Sequence, residues 1–142
     1  MKPAKTLLAR KAQFRCAHLY QQKEFSQDEN RETFGLCYSP HGHGHTYTLE
    51  VYFNGEIDPL TGMIINLTEV DALLAKAIAP INDKHLNFEV PEFKEKIPTT
   101  ENLAHYLYKN IRELLPSKAV QLSRMRLYES ESLWVDLLDE EK

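Results

Sequence analysis

The residues best suited to chemistry crowd into one stretch, Cys37-Tyr-Ser-Pro-His41-Gly-His43-Gly-His45-Thr-Tyr47. Three of the six histidines fall within five residues, and one of two cysteines stands just upstream. Side chains alternate faces along a strand, so His43 and His45 point the same way and can share one divalent ion. A His41/His43 pair has the same spacing, and the local sequence leaves both open. A third ligand must come from elsewhere. His18, at the end of an earlier β-compatible stretch, comes within reach if the two strands pair antiparallel. Three neutral imidazoles with an open fourth position form the donor set of a catalytic zinc. The glycines at 42 and 44 clear side-chain bulk from such a site. Cys37 admits three readings: a packed thiol, a base whose proton is loosened by a nearby cation, or a further ligand. Cys16 reads as packing, and His105 as an ordinary helix residue.

Positioning these groups falls to strands and helices that the pattern predicts. Residues 6–18 form a first strand ending in Phe14-Arg-Cys-Ala-His18. The polar residues 20–36 read as a long loop, a length that often carries function. Residues 45–53 are rich in β-formers and give a second strand. Asp58-Pro-Leu-Thr-Gly62 is a turn, and Met63–Leu67 a short strand. Thr68-Glu-Val-Asp71 has capping-box spacing, opening a helix with Val70, Leu73, Leu74, Ala77 and Ile78 on one face and Pro80 at its end. Residues 81–97 look irregular. Thr99 or Thr100 caps a second helix, striped by Leu103, Leu107, Ile111 and Leu114. Residues 119–129 and 132–138 form a closing hairpin around Glu129-Ser-Glu-Ser132. The layout is α+β, a four-stranded antiparallel sheet with two helices packed on one face.

A length of 142 residues fits a single domain spanning 1–142, and a hydrophobic fraction of 42% suits a globular core. The net charge of −4 argues against a nucleic-acid partner, which would call for a basic surface. A small anionic substrate in a local basic pocket stays allowed. No apolar run reaches signal-peptide or membrane-span length, and two cysteines make no disulfide framework. The expectation is a cytoplasmic protein with reduced thiols and no membrane partner.

Phe14-Arg-Cys-Ala-His18, Phe34-Gly-Leu-Cys37, His43-Gly-His45-Thr-Tyr47, Gly55-Glu-Ile-Asp-Pro-Leu-Thr-Gly-Met63, Pro98-Thr-Thr-Glu-Asn102 and Tyr128-Glu129 together resemble the 6-pyruvoyl-tetrahydropterin synthase family. That family includes the related 6-carboxytetrahydropterin synthase of the queuosine pathway, and the likeness runs nearly the whole length. The resemblance implies zinc as cofactor on His18, His43 and His45, and Cys37 as the catalytic cysteine. It implies that Glu129 anchors a pterin ring, with Thr99 and Thr100 nearby. It further implies 7,8-dihydroneopterin triphosphate as substrate and a tunnelling fold, in which three subunits close a barrel and two trimers stack into a homohexamer with active sites at subunit interfaces.

One departure stands out. Where the family carries Leu-Asp-His, this chain has Ile81-Asn82-Asp83, so the Asp-His pair that assists proton transfer is missing in register. Asp83 with His85 rebuilds it after a local slip, since residues two apart share a face of an extended segment. Otherwise Asp83 is a turn residue and His85 a surface one. The five residues between Cys37 and His43 resemble the pyruvoyl enzymes, which favours elimination of triphosphate to 6-pyruvoyl-tetrahydropterin. The carboxy reaction, releasing acetaldehyde and triphosphate, is the alternative. A pterin-binding protein without turnover is the second.

Overall fold

The computed structural model describes residues 4–140. Strands β1 (Leu7–His18), β2 (His43–Asn54), β3 (Lys84–His85), β4 (Gln121–Ser130) and β5 (Leu133–Leu138) make one sheet in the order β3-β1-β2-β4-β5. Neighbours are antiparallel except β3, which runs parallel to β1 at Cys16/Lys84 and Ala17/His85. The sheet is therefore five-stranded and mixed rather than four-stranded and antiparallel. The added strand is two residues long, too short to leave a period in the sequence. Side-chain chemistry brings it to the edge: Asn82 Oδ1 accepts from the Arg15 N–H at 3.0 Å, and the Asp83 N–H donates to the Arg15 carbonyl at 2.6 Å.

Four helices accompany the sheet: α1 (Gln27–Phe34), α2 (Leu67–Ile78), α3 (Leu86–Glu89) and α4 (Thr100–Leu114). Helix α1 lies inside the segment expected to be a loop. Its start is a complete capping box, with Ser26 and Glu29 each accepting from the other's backbone N–H at 3.1 and 3.0 Å. Helix α2 begins one residue before the expected Thr68, because Asn66 is the cap and accepts from the Thr68 N–H at 2.9 Å. Asp71, which would have closed a box with Thr68, instead grips the Arg10 guanidinium through two bonds of 2.9 and 3.0 Å. Met63–Leu67 forms no strand, since its last two residues serve the start of α2. Thr99, not Thr100, caps α4.

The core lies between one sheet face and the helices. Phe14 and Cys16 of β1, Tyr47, Leu49, Val51 and Phe53 of β2, and Leu122, Met125 and Leu127 of β4 are buried there. Against them sit Val70, Leu73 and Leu74 of α2 and Leu103, Leu107 and Ile111 of α4. Each such aliphatic chain contributes about 1.5–3 kcal/mol by leaving water, which holds the sheet's register firm enough to aim the residues at its end. The opposite sheet face is polar. Arg126 pairs with Asp136 at 2.7 Å there, and its guanidinium lies over Trp134 at 5.0 Å. No helix among the described residues is long and apolar enough to cross a membrane.

Candidate active site

The β1/β2 register sets His18 directly opposite His43 and Cys16 opposite His45. All three imidazoles project on the helix side, at the end of the apolar core, as antiparallel pairing of the two strands predicts. One ligand atom from each of His18, His43 and His45 lies within 4.8 Å of the others. The ring centroids stand 4.8 to 4.9 Å apart. His41 falls outside β2, and its carbonyl accepts from His85 Nε2 at 3.0 Å. The alternative His41/His43 pair is thereby set aside.

The donor set fits a cation. His18 Nε2, His45 Nε2 and Glu129 Oε1 are buried with no hydrogen-bond partner. Glu129 Oε1 nevertheless stands 3.4 Å from His18 Nε2 and 3.3 Å from His45 Nε2. A buried polar atom left without a partner costs about 1–3 kcal/mol, so several aimed at one point mark a place for a charge. Burial, reinforced by the neighbouring imidazoles, pushes His18 down to about 3. Burial also lowers His45, against the pull of Glu129. Both rings are thus held neutral, the form that binds a metal.

Glu129 reaches this point by strand alternation, since Met125, Leu127 and Glu129 of β4 are all buried on the same sheet face. The β4/β5 register jumps between Tyr128 and Ser130, leaving Glu129 unpaired with β5. Cys37 closes a short 3-10 turn, Gly35–Cys37, and its carbonyl accepts from the Tyr20 N–H at 2.9 Å. Burial first, then the charge of Glu129, pushes its thiol up. Thr99 spends its hydroxyl on the Asn102 N–H at 3.1 Å, and Thr100 is buried beside it.

Asp83 and His85 stand differently. The Asp83 carboxylate is held by Arg15 at 3.0 Å, with the residue at a left-handed φ of 60°. The His85 ring stacks on Phe88 at 4.2 Å and donates to His41. Among the described residues no hydrogen bond joins Asp83 to His85, or either to Cys37. Both line a groove with Arg15, Ala17, Gly44 and Thr46.

Two tyrosines escaped the reading of the sequence. Tyr20 tilts over the His18 ring at 4.6 Å, and the Tyr47 hydroxyl stands 3.0 Å from His18 Nδ1. Each sits two positions after a histidine of the cluster, and for Tyr47, within β2, strand alternation puts it on the same side as His45. That spacing was the available signal.

The family model described as 6-pyruvoyl tetrahydropterin synthase matches residues 7–140. A 6-pyruvoyl tetrahydrobiopterin synthase of Pongo abelii is 38% identical over 126 residues, covering 88% of this chain and 86% of the relative. One of Homo sapiens is 37% identical over 126 residues, with coverage of 88% and 86%. The solved 6-pyruvoyl tetrahydropterin synthase of Caenorhabditis elegans superposes with a TM-score of 0.90 at 26% identity, covering 99% of each chain.

Proposed function

Because the chain belongs to the 6-pyruvoyl tetrahydropterin synthase family, we propose that it is a metal-dependent lyase that converts 7,8-dihydroneopterin triphosphate to 6-pyruvoyl-tetrahydropterin with loss of triphosphate. The observation that carries this reading is the convergence of His18, His43 and His45 on one point, with orphaned polar atoms facing it. Going from a dihydro to a tetrahydro ring while the side chain becomes a diketone is an internal redox change. Hydrogens therefore leave side-chain carbons and return to the ring, and the site must move protons.

We assign the three imidazoles to zinc, whose all-nitrogen, three-histidine set leaves a position for substrate oxygen. When bound there, zinc supplies Lewis acidity toward the substrate's side-chain hydroxyls. Cys37 is the base that takes the carbon-bound proton. Its thiol is held up by burial and by Glu129, and positive charge among the imidazoles works the other way. Glu129 turns one oxygen to the imidazoles, and its carboxylate is suited to accept from the amino-pyrimidinone edge of the pterin, with Thr99 and Thr100 nearby. Asp83 and His85 belong to proton transfer only if a neighbouring subunit presents them, because neither bonds to Cys37 within the chain. The family's homohexamer supplies such interfaces, and the polar, helix-free sheet face suits the wall of a three-subunit barrel. Residues 1–142 act as a single cytoplasmic domain in this reading.

Zinc-loaded protein given 7,8-dihydroneopterin triphosphate should release triphosphate and 6-pyruvoyl-tetrahydropterin with no acetaldehyde. Stoichiometric acetaldehyde would transfer the chain to the carboxy reaction. Intact substrate beside tight pterin binding would leave a binding protein without turnover.

A further inference from the structure

Tyr47 follows His45 by two residues on the inner face of β2 and is fully buried. Its ring stacks on Phe14, with centroids 5.1 Å apart and planes 5° from parallel. Its hydroxyl stands 3.0 Å from Nδ1 of His18, itself 0% exposed. The other ring nitrogen of His18, Nε2, faces His45 and Glu129. One imidazole is thus fixed between a phenol on one side and the metal-binding point on the other.

A neutral imidazole carries a single ring proton. If Tyr47 donates to Nδ1, that proton sits on Nε2 and the lone pair a cation needs is blocked. If Nδ1–H donates to the Tyr47 oxygen, Nε2 is open. The same 3.0 Å contact serves both states, with the direction of the hydrogen bond reversed. Such outer partners set the tautomer and ring orientation of metal-binding histidines. Among the three ligands His18 is the most buried, so its ring has the least freedom to find a substitute partner.

We propose that Tyr47 is a positioning residue for the metal: its oxygen accepts from His18 Nδ1–H and thereby selects the tautomer that presents Nε2 to the cation. The inference rests on the metal-dependent reading above, and its test uses zinc alone, with no substrate.

Zinc affinity is measured by chelator competition on wild type, Tyr47→Phe and Phe14→Leu. Tyr47→Phe keeps the ring stack and removes only the oxygen, and its zinc Kd should rise about 10–100-fold. Phe14→Leu disturbs the stack but keeps the hydroxyl, and its Kd should stay within about threefold of wild type. The cobalt-loaded Tyr47→Phe protein should show an altered ligand-field spectrum. In zinc-loaded wild type, long-range proton–nitrogen NMR should place the His18 proton on Nδ1, a readout that holds even if Tyr47→Phe fails to fold. A Tyr47→Phe affinity within about twofold of wild type overturns the inference. Equal weakening by Phe14→Leu, or a His18 proton on Nε2, overturns it too. Wild type that binds no zinc would sink the metal-dependent reading itself, a failure distinct from loss of the Tyr47 effect alone.

Discussion

Gly42 and Gly44 flank His43, a member of the histidine cluster, yet an added methyl group should act very differently at the two. Gly42 has a φ of +76°, and a Cβ there would stand 2.3 Å from the His18 carbonyl oxygen, 2.9 Å from its carbon and 3.0 Å from His85 Nε2. At Gly44 the nearest atom would be the Cys16 carbonyl oxygen at 3.5 Å, an ordinary contact. For Gly42→Ala the left-handed backbone costs about 1–2 kcal/mol. Parting the β1 end from the loop adds about 1–3 kcal/mol by analogy with overpacking, since the clash is with backbone that cannot rotate away. The expected loss is therefore about 2–5 kcal/mol of folding stability. Gly44→Ala, by contrast, restricts the unfolded chain at an unstrained site and should be neutral or stabilise by up to about 1 kcal/mol. The clash at residue 42 also pushes on His18, one of the three proposed zinc ligands, so zinc affinity should fall for Gly42→Ala and hold for Gly44→Ala. Urea unfolding of the metal-free proteins and chelator competition measure the two effects. Gly42→Ala within about 1 kcal/mol of wild type and with unchanged zinc Kd would refute the steric argument. So would equal damage at both positions.

Cys37→Ala should retain one zinc per chain and lose at least about a hundredfold in turnover, because a proton-transfer group is removed while the imidazoles stay. Zinc content that falls with the thiol would make Cys37 a ligand instead. The Arg126 guanidinium holds Asp136 below its ordinary carboxylate range, helped by Arg124. A depressed carboxylate stabilises the fold above its unfolded value and loses that contribution as pH falls through the folded one. Acid unfolding followed by circular dichroism should therefore begin at higher pH in Arg126→Met. With a third of Asp136 exposed the difference stays under about 1 kcal/mol, and superimposable acid limbs would remove the pair from the stability account.

Much of the fold was legible because its signals are local. The stripe of α4, the stop at Pro80 and the alternation of β2 each depend on a few adjacent residues. The Ser26/Glu29 box of α1 was equally local, but the polar composition around it carried no apolar stripe, and a helix without a stripe reads as loop. Asn66 won the α2 cap over Thr68 because Asp71, needed for the box, was committed to Arg10 across 61 residues. Strand β3 is held by Asn82 and Asp83 against Arg15, contacts that no window of neighbouring residues contains.

The sequence alone determined which atoms were available: three imidazoles and a thiol, with His43 and His45 forced to one side by the twofold period of an extended backbone. Only the tertiary structure decided which partners join them. Register along twelve paired residues brings His18 opposite His43 and leaves His41 aside, and the β2/β4 register brings Glu129 to the same end of the sheet. A distant tyrosine ring reaches Nδ1 of His18 by the same pairing. Alternation is a property of the backbone itself. Register is a sum over buried contacts far apart in the chain, and it exists only once the core has packed.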